Sequence, residues 1–229
     1  AREEDGVGIC AGAYLGGRRP VMSIQSSGLG NMLNALMSLS RVYDLPLPIL
    51  ASWRGVYHEA ICAQVPFNEP LPRVLDVYGI PYRIFSSGED LIHLDEVIAG
   101  AYANRTPYVA LIKPSCWEPQ EPVEIVYPPR ESPARILSLP GYGKPTMKRL
   151  DAIRVVAEYA DADTIIVSNI GVPSKELYAS KDRAGNFYML GSYMQASAIG
   201  LGCAVALPNK RVIVIDGDGS LLGSAVLPV

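Results

Sequence analysis

Four β-branched aliphatics, Val212 to Ile215, run straight into Asp216-Gly-Asp-Gly-Ser220. Such a run reads as a buried strand, the kind found in parallel sheets covered by helical crossovers. The glycines let the chain turn tightly and approach a ligand. An acid at the carboxyl end of a parallel strand lies where open α/β sheets bind ligands, so Asp218 is a candidate for a hard cation that bridges to phosphate oxygens. Read alone, the same residues also describe a plain Asp-Gly turn after a core strand. An EF-hand loop fits poorly: counted from Asp216, its required sixth glycine and twelfth glutamate are Leu221 and Leu227.

The rest of the chain repeats the strand–helix alternation. Strands are expected at 21–25, 45–52, 81–85, 107–112, 164–168 and 212–215. Pro46 and Pro48 should sit near a strand start or edge. Helices are expected at 4–17, 29–43, 71–78, 91–103, 147–160, 173–178 and 192–207, with a turn over Ser26–Asn31. Prolines crowd the stretch 114–145 and exclude a continuous helix or central strand there, so it reads as an extended linker. The expected organisation is two α/β units with parallel sheets, 1–113 and 146–229, joined by that linker. Both ends read as cut, because the apolar run Leu221–Val229 stops where an element should continue.

Composition narrows the partners. The chain has 229 residues, 49% of them hydrophobic and 19% charged, with net charge −3, so a sizeable core is expected and disorder is not. Lys and Arg are scattered, which argues against nucleic acid. No apolar run reaches membrane-spanning length. Cys10, Cys62, Cys116 and Cys203 lie far apart without a CxxC pair, which suits reduced thiols in a cytoplasmic protein.

Three further places carry candidate chemistry. Arg2-Glu-Glu-Asp5 opens a Gly/Ala-rich helix, where acids favour the dipole; ordinary helix charging explains them equally well. Ser26-Ser-Gly-Leu-Gly-Asn31 follows a strand and could cradle an anion on backbone N–H groups, although it is neither GxGxxG nor a P-loop. Gly191-Ser-Tyr-Met-Gln-Ala-Ser-Ala-Ile-Gly-Leu-Gly202 places small residues at helical spacing, which usually means close packing, behind a glycine turn that could receive a flat cofactor. His93 reads as a surface residue. His58 and Arg54 follow a strand end, where function concentrates, and a guanidinium suits an oxyanion.

In order and spacing, Arg2-Glu-Glu-Asp-Gly-Val-Gly-Ile9, Gln25–Asn31, Arg54-Gly55, Ala63-Gln-Val-Pro66, Asn186–Ser192 and Gly217–Leu222 resemble the thiamine-diphosphate-dependent 2-oxoacid decarboxylases. The likeness is greatest to members acting on sulfopyruvate, with phosphonopyruvate next. It implies two three-layer, parallel-sheet domains of the thiamine-diphosphate-binding fold, both truncated here, with a fused pair of parts that some members carry as separate subunits. It implies thiamine diphosphate and Mg²⁺ as cofactors, a small 2-oxoacid substrate, and a homo-oligomer whose sites form between chains. On 3-sulfopyruvate the products would be sulfoacetaldehyde and CO₂, a step of coenzyme M synthesis. A noncatalytic piece that needs a partner is the rival from another class.

The resemblance also implies roles. Glu3 would give its proton to N1′ of the cofactor, a task that suits a half-buried carboxylate of raised pKa. Gly191 would offer its carbonyl to the 4′-amino group, with Ser192 nearby. Tyr193 and Met194 replace the usual apolar prop. Asp218 would ligate the metal, and Gly217, Gly219 and Ser220 would lie by the diphosphate. Ser27, Gly28, Asn31, Arg54 and His58 would line the substrate pocket. A second metal ligand, an Asn, would lie beyond Val229.

Overall fold

The longest aliphatic runs become the interior strands. The computed structural model describes residues 2–117 and 146–226. Strands β1 (Met22–Gln25), β2 (Leu47–Ser52), β3 (Tyr82–Phe85) and β4 (Pro107–Ile112) form one parallel sheet in the order β1-β2-β4-β3. Strands β5 (Thr164–Ser168), β6 (Asn186–Tyr188) and β7 (Arg211–Ile215) form a second, also parallel, in the order β6-β5-β7. Ile49, Ala51, Val109, Leu111, Ile166 and Val167 of these strands are wholly buried. The expected α/β architecture with parallel sheets is present.

Pro48 lies in an interior strand at no cost in hydrogen bonds. The Leu47 N–H donates to Thr106 O on the β4 side. Successive residues alternate sides, so the Pro48 nitrogen faces β1, which begins only opposite Ile49. Proline is accepted where its missing N–H has no acceptor.

The helices are α1 (Glu3–Leu15), α2 (Gly28–Ala35), α3 (Val65–Asn68), α4 (Leu71–Val77), α5 (Leu94–Asn104), α6 (Arg149–Tyr159), α7 (Val172–Ser180), α8 (Ala196–Ala206) and α9 (Asp218–Gly223). Several depart from the sequence reading. The turn before α2 is confined to Ser26–Ser27, because the helix already begins at Gly28. The helix expected to reach residue 43 stops at Ala35 and continues as a π-helical turn, Leu36–Arg41, followed by a Leu45 N–H to Ser40 O bond that spans five residues. The helix expected from Ser192 starts only at Ala196, which leaves 191–195 irregular. β6, α3 and α9 were not expected. Pro114–Cys116 forms a 3₁₀ turn with Cys116 buried beside Phe85 and Val97, so packed structure runs past residue 113. The rest of the expected linker, 118–145, lies outside the described residues.

The two glycine-rich helices find each other. A Cβ on Gly12 would run into the Ile199 carbonyl oxygen, and one on Gly202 into that of Ile9. Gly8 and Gly16 repeat the pattern one helical turn away on each side, against Ala198 and Ala206. Residues four apart share a helix face, so α1 presents one stripe without side chains and α8 lies in it. The main core crosses this contact, joining Val7, Leu29, Met32 and Ile49 to Val167, Met189 and Ile199. Among the described residues no helix is long and apolar enough to cross a membrane.

Candidate active site

Three consecutive acids at the start of α1 do three different things. The Asp5 carboxylate, 1% exposed, accepts the Arg2 N–H and, from the other half of the chain, the Ala225 N–H, each at 3.3 Å. Glu3 Oε2 accepts Asn31 Nδ2–H at 3.0 Å, and Glu3 Cγ would stand 2.6 Å from a Cβ on Gly28. Gly28 must therefore stay bare for Glu3 to lie against the first turn of α2. Glu4 is buried; it pairs with Arg2 at 2.5 Å through Oε1, while its Oε2 has no partner among the described residues.

Glu4 lines a cavity of about 140 Å³ together with Asn31, Asn34, Ser192, Met194 and Gln195, among others. Gln195 is 1% exposed, and neither its Nε2 nor its Oε1 has a partner among the described residues. Buried polar atoms are ordinarily paired, so this concentration of unpaired ones marks a place built for a polar guest. The wall from 191 to 195 is strained: Ser192 and Met194 hold φ of +64° and +72°, a conformation costing about 1–3 kcal/mol each. Ser192 Oγ lies 2.9 Å from Ser38 Oγ, on the π-helical turn. The Tyr43 hydroxyl donates to Tyr188 O and accepts the Leu190 N–H at 2.7 Å. The π turn, through Ser38, and Tyr43 just beyond it thus hold this segment and the residues that lead into it.

The Tyr193 hydroxyl donates to Gly219 O at 2.7 Å, and Met194 fills the room left by bare Gly223. These contacts tie the 191–195 turn to the acidic turn after β7. There Asp216 is already engaged, accepting Ser197 Oγ–H at 2.7 Å and the Gly217 N–H at 2.8 Å. Asp218, exposed at the first position of α9, has no hydrogen-bond or ion-pair partner among the described residues. Ser220, 2% exposed, has a hydroxyl with no partner among the described residues. Asn169, at the end of β5, places Nδ2 3.0 Å from where a Cβ on Gly217 would stand.

The orphaned Glu4, Gln195 and Ser220 atoms fit a ligand with a polar ring at one end and an anionic tail at the other, as thiamine diphosphate has. A metal is less completely provided for: no group of three or more His, Cys, Asp or Glu suited to an ion occurs among the described residues.

The substrate-side candidates form a connected polar hub. Ser26 Oγ–H donates to Asn68 Oδ1 and accepts the Arg54 N–H at 3.0 Å. Asn68, wholly buried, also donates to Ser27 Oγ and to Gln64 O, and Ser27 Oγ–H donates to Gln64 Oε1. Arg54 is held two-pronged by Glu59, Nε to Oε2 at 2.6 Å and Nη2 to Oε1 at 2.7 Å. His58 is exposed, with φ +43° and its ring edge-on to Tyr57.

Glu3, Gly28, Asn31, Ser192, Tyr193, Met194 and Gly219 are therefore brought together, Arg54 adjoins them through Ser26, and His58 stands outside. One expectation needs correcting. Glu3 does not have a raised pKa; the N–H donated by Asn31 holds it below the usual carboxylate value. The sequence reading missed Asn34, Gln195, Glu59, Asn68 and Asn169. Gln195 was visible as a lone amide in a run of small residues.

No family model matches the chain. Over 96% of its length, however, it is 50% identical to a sulfopyruvate decarboxylase of Methanosarcina acetivorans, covering 58% of that protein. This chain is a relative of the sulfopyruvate decarboxylases. The separate alpha and beta subunits of the Methanococcus maripaludis sulfopyruvate decarboxylase match separate parts of the chain. The alpha subunit is 48% identical over 35% of this chain and 48% of its own length. The beta subunit is 51% identical over 33% of this chain and 40% of its own. A phosphonopyruvate decarboxylase of Streptomyces viridochromogenes is 30% identical over 96% of this chain and 56% of that protein. The chain thus spans little more than half the length of its full-length relatives.

Proposed function

We propose that this chain carries the catalytic cleft of a thiamine-diphosphate-dependent decarboxylase that converts 3-sulfopyruvate to sulfoacetaldehyde and CO₂, a step of coenzyme M synthesis. The observation that carries this reading is the polar cavity at the start of α1, with its unpaired Glu4 and Gln195 atoms, tied by Tyr193 to the Asp218 turn. Thiamine diphosphate, when bound, supplies an electron sink for the departing CO₂.

The chain's own residues then have these tasks. Glu3, set beside the cavity by Asn31, offers its carboxylate to the ring nitrogen of the cofactor, with which it would share a proton once the cofactor is bound. The Gly191 carbonyl and the 191–195 turn orient the ring. Gly217, Gly219 and Ser220 receive the diphosphate, and the unengaged Asp218 carboxylate offers itself to Mg²⁺. Ser27, Gly28, Asn31 and Arg54 face the 2-oxoacid, with His58 at the rim. The buried contact between α1 and α8 supports an assembly in which the separately encoded subunits of relatives meet by the same two helices. The four unpaired cysteines suit a reducing, cytoplasmic setting.

The test is a titration of thiamine diphosphate with and without Mg²⁺, joined to decarboxylation assays on sulfopyruvate and phosphonopyruvate. Metal-dependent binding that Asp218→Ala weakens at least tenfold, with turnover of sulfopyruvate, is the expected result. Unchanged metal-dependent binding in Asp218→Ala removes that residue from the site, and turnover of neither oxoacid overturns the reading.

A further inference from the structure

Arg54 does not stand alone in the substrate-side hub. The Glu59 carboxylate takes its Nε–H and one Nη2–H, and also accepts the Gly55 N–H at 3.2 Å and the Ile61 N–H at 3.0 Å. The Glu59 side chain is 6% exposed and that of Arg54 28%, so the pair is half sheltered and fixed by four hydrogen bonds. A guanidinium carries five N–H groups. The two on Nη1 and the second on Nη2 have no partner among the described residues. They form an end-on fork of the kind that receives a tetrahedral or planar oxyanion. The Arg54 main chain adjoins the turn before α2, its backbone N–H donating to Ser26 Oγ.

We propose that Glu59 is a specificity-determining residue: by neutralising Arg54 within the anion site, it favours a monoanionic sulfonate over a dianionic phosphonate. The inference rests on the function proposed above, that the substrate carries one of these groups beside its carboxylate. With Glu59 in place, Arg54 and Glu59 sum to zero charge. A sulfonate adds one negative charge, whereas a fully ionised phosphonate adds a second that meets the Glu59 carboxylate without compensation. The Arg54 N–H groups and the Gly55 and Ile61 amides hold Glu59 far down, at about 2, so it stays ionised at neutral pH. The other ionisable groups around the loop are Lys113, its Nζ 6.0 Å from the Trp53 ring centre, His58 beside Tyr57, and Glu3 beside Gly28. They are the same in the unmodified chain and in Glu59→Gln, so the comparison of the two isolates the Glu59 charge. A further unit charge at such separations, partly screened by solvent, changes affinity on the order of tenfold.

Methanesulfonate and methylphosphonate are probes that need neither cofactor nor turnover. Their binding to the chain is read from the Arg54 Nε–H resonance as pH is raised through the second phosphonate ionisation. The expected result is flat methanesulfonate affinity and falling methylphosphonate affinity. Glu59→Gln, which keeps an acceptor for Arg54 and the amides, should raise methylphosphonate affinity at alkaline pH on the order of tenfold and change methanesulfonate far less. In the loaded enzyme the same variant should narrow the KM gap between the two oxoacids. Equal affinities across the pH range in the unmodified chain, an unchanged ratio in the folded variant, or binding of neither probe overturns the inference. If the variant does not fold, the pH series on the unmodified chain still decides. Failure to turn over either oxoacid speaks against the proposed function, and the probe measurements then stand apart from it.

Discussion

Gly12 and Gly202 each lie against the main chain of the other's helix, where α1 and α8 cross without an intervening side chain. A methyl group on Gly12 must displace the Ile199 carbonyl. Gly12→Ala gains up to about 1 kcal/mol in helix propensity and loses about 1–3 kcal/mol by overpacking, so a net loss of stability is expected, larger for Gly12→Val. Cys203, which donates its thiol to Gly12 O, should become open to alkylation in the same variants. An unshifted Tm together with a protected thiol would show that the helices do not touch there.

The two neighbouring glutamates should fail differently. Glu3→Gln keeps the Asn31 contact but loses the proton, so thiamine diphosphate should still bind while exchange of its C2 proton, followed by NMR, slows at least tenfold. Glu4→Gln alters the buried wall of the cavity and should weaken binding itself. Normal binding with slow exchange in Glu4→Gln, and not in Glu3→Gln, would transfer the proton role to Glu4.

Acid should release the loop after β2 late. The folded-state pKa of Glu59 is depressed from 4.5 to about 2. Its contribution to stability is therefore complete above about 4.5 and is lost as pH falls toward 2. Followed by its side-chain carboxyl ¹³C shift, Glu59 should titrate well below the exposed glutamates, and in Arg54→Ala it should return most of the way to the ordinary value.

Asn68→Ala removes one acceptor and two donated bonds from a wholly buried site, and orphans the hydroxyl of Ser26. A loss of about 2–4 kcal/mol in denaturant unfolding is expected. A change below 1 kcal/mol, on the scale of an ordinary surface substitution, would mean the hub is not formed as described.

Periodic segments were the legible ones. The aliphatic runs at 107–112, 164–168 and 212–215 became strands within a residue of expectation, because burial on both faces leaves a continuous signature. The small-residue helices announced close packing, though not that they would pack on each other; pairing is a property of two segments and leaves no mark on either. β6 has three residues, too few to show alternation. The π turn hid because Leu33, Leu36, Met37 and Leu39 fit an unbroken helix nearly as well. At the site, glycine turns were visible by composition. Glu59 and Asn68 were not, since a polar residue in a loop looks the same whether it faces water or a buried partner.

The π turn at Leu36–Arg41 acts as a phase shifter. One residue rotates a helix by roughly 100°, so the extra residue it absorbs sets the angle between α2 and the segment leading to Tyr43. Ahead of it, Glu3 rests on the first turn of α2; at and beyond it, Ser38 and Tyr43 reach Ser192, Tyr188 and Leu190. Deleting any single residue here would relax the coil to ordinary pitch and swing Tyr43 away from the second half. The number of residues in this segment therefore matters as much as the identity of buried Leu36 and Leu39 and of Ser38.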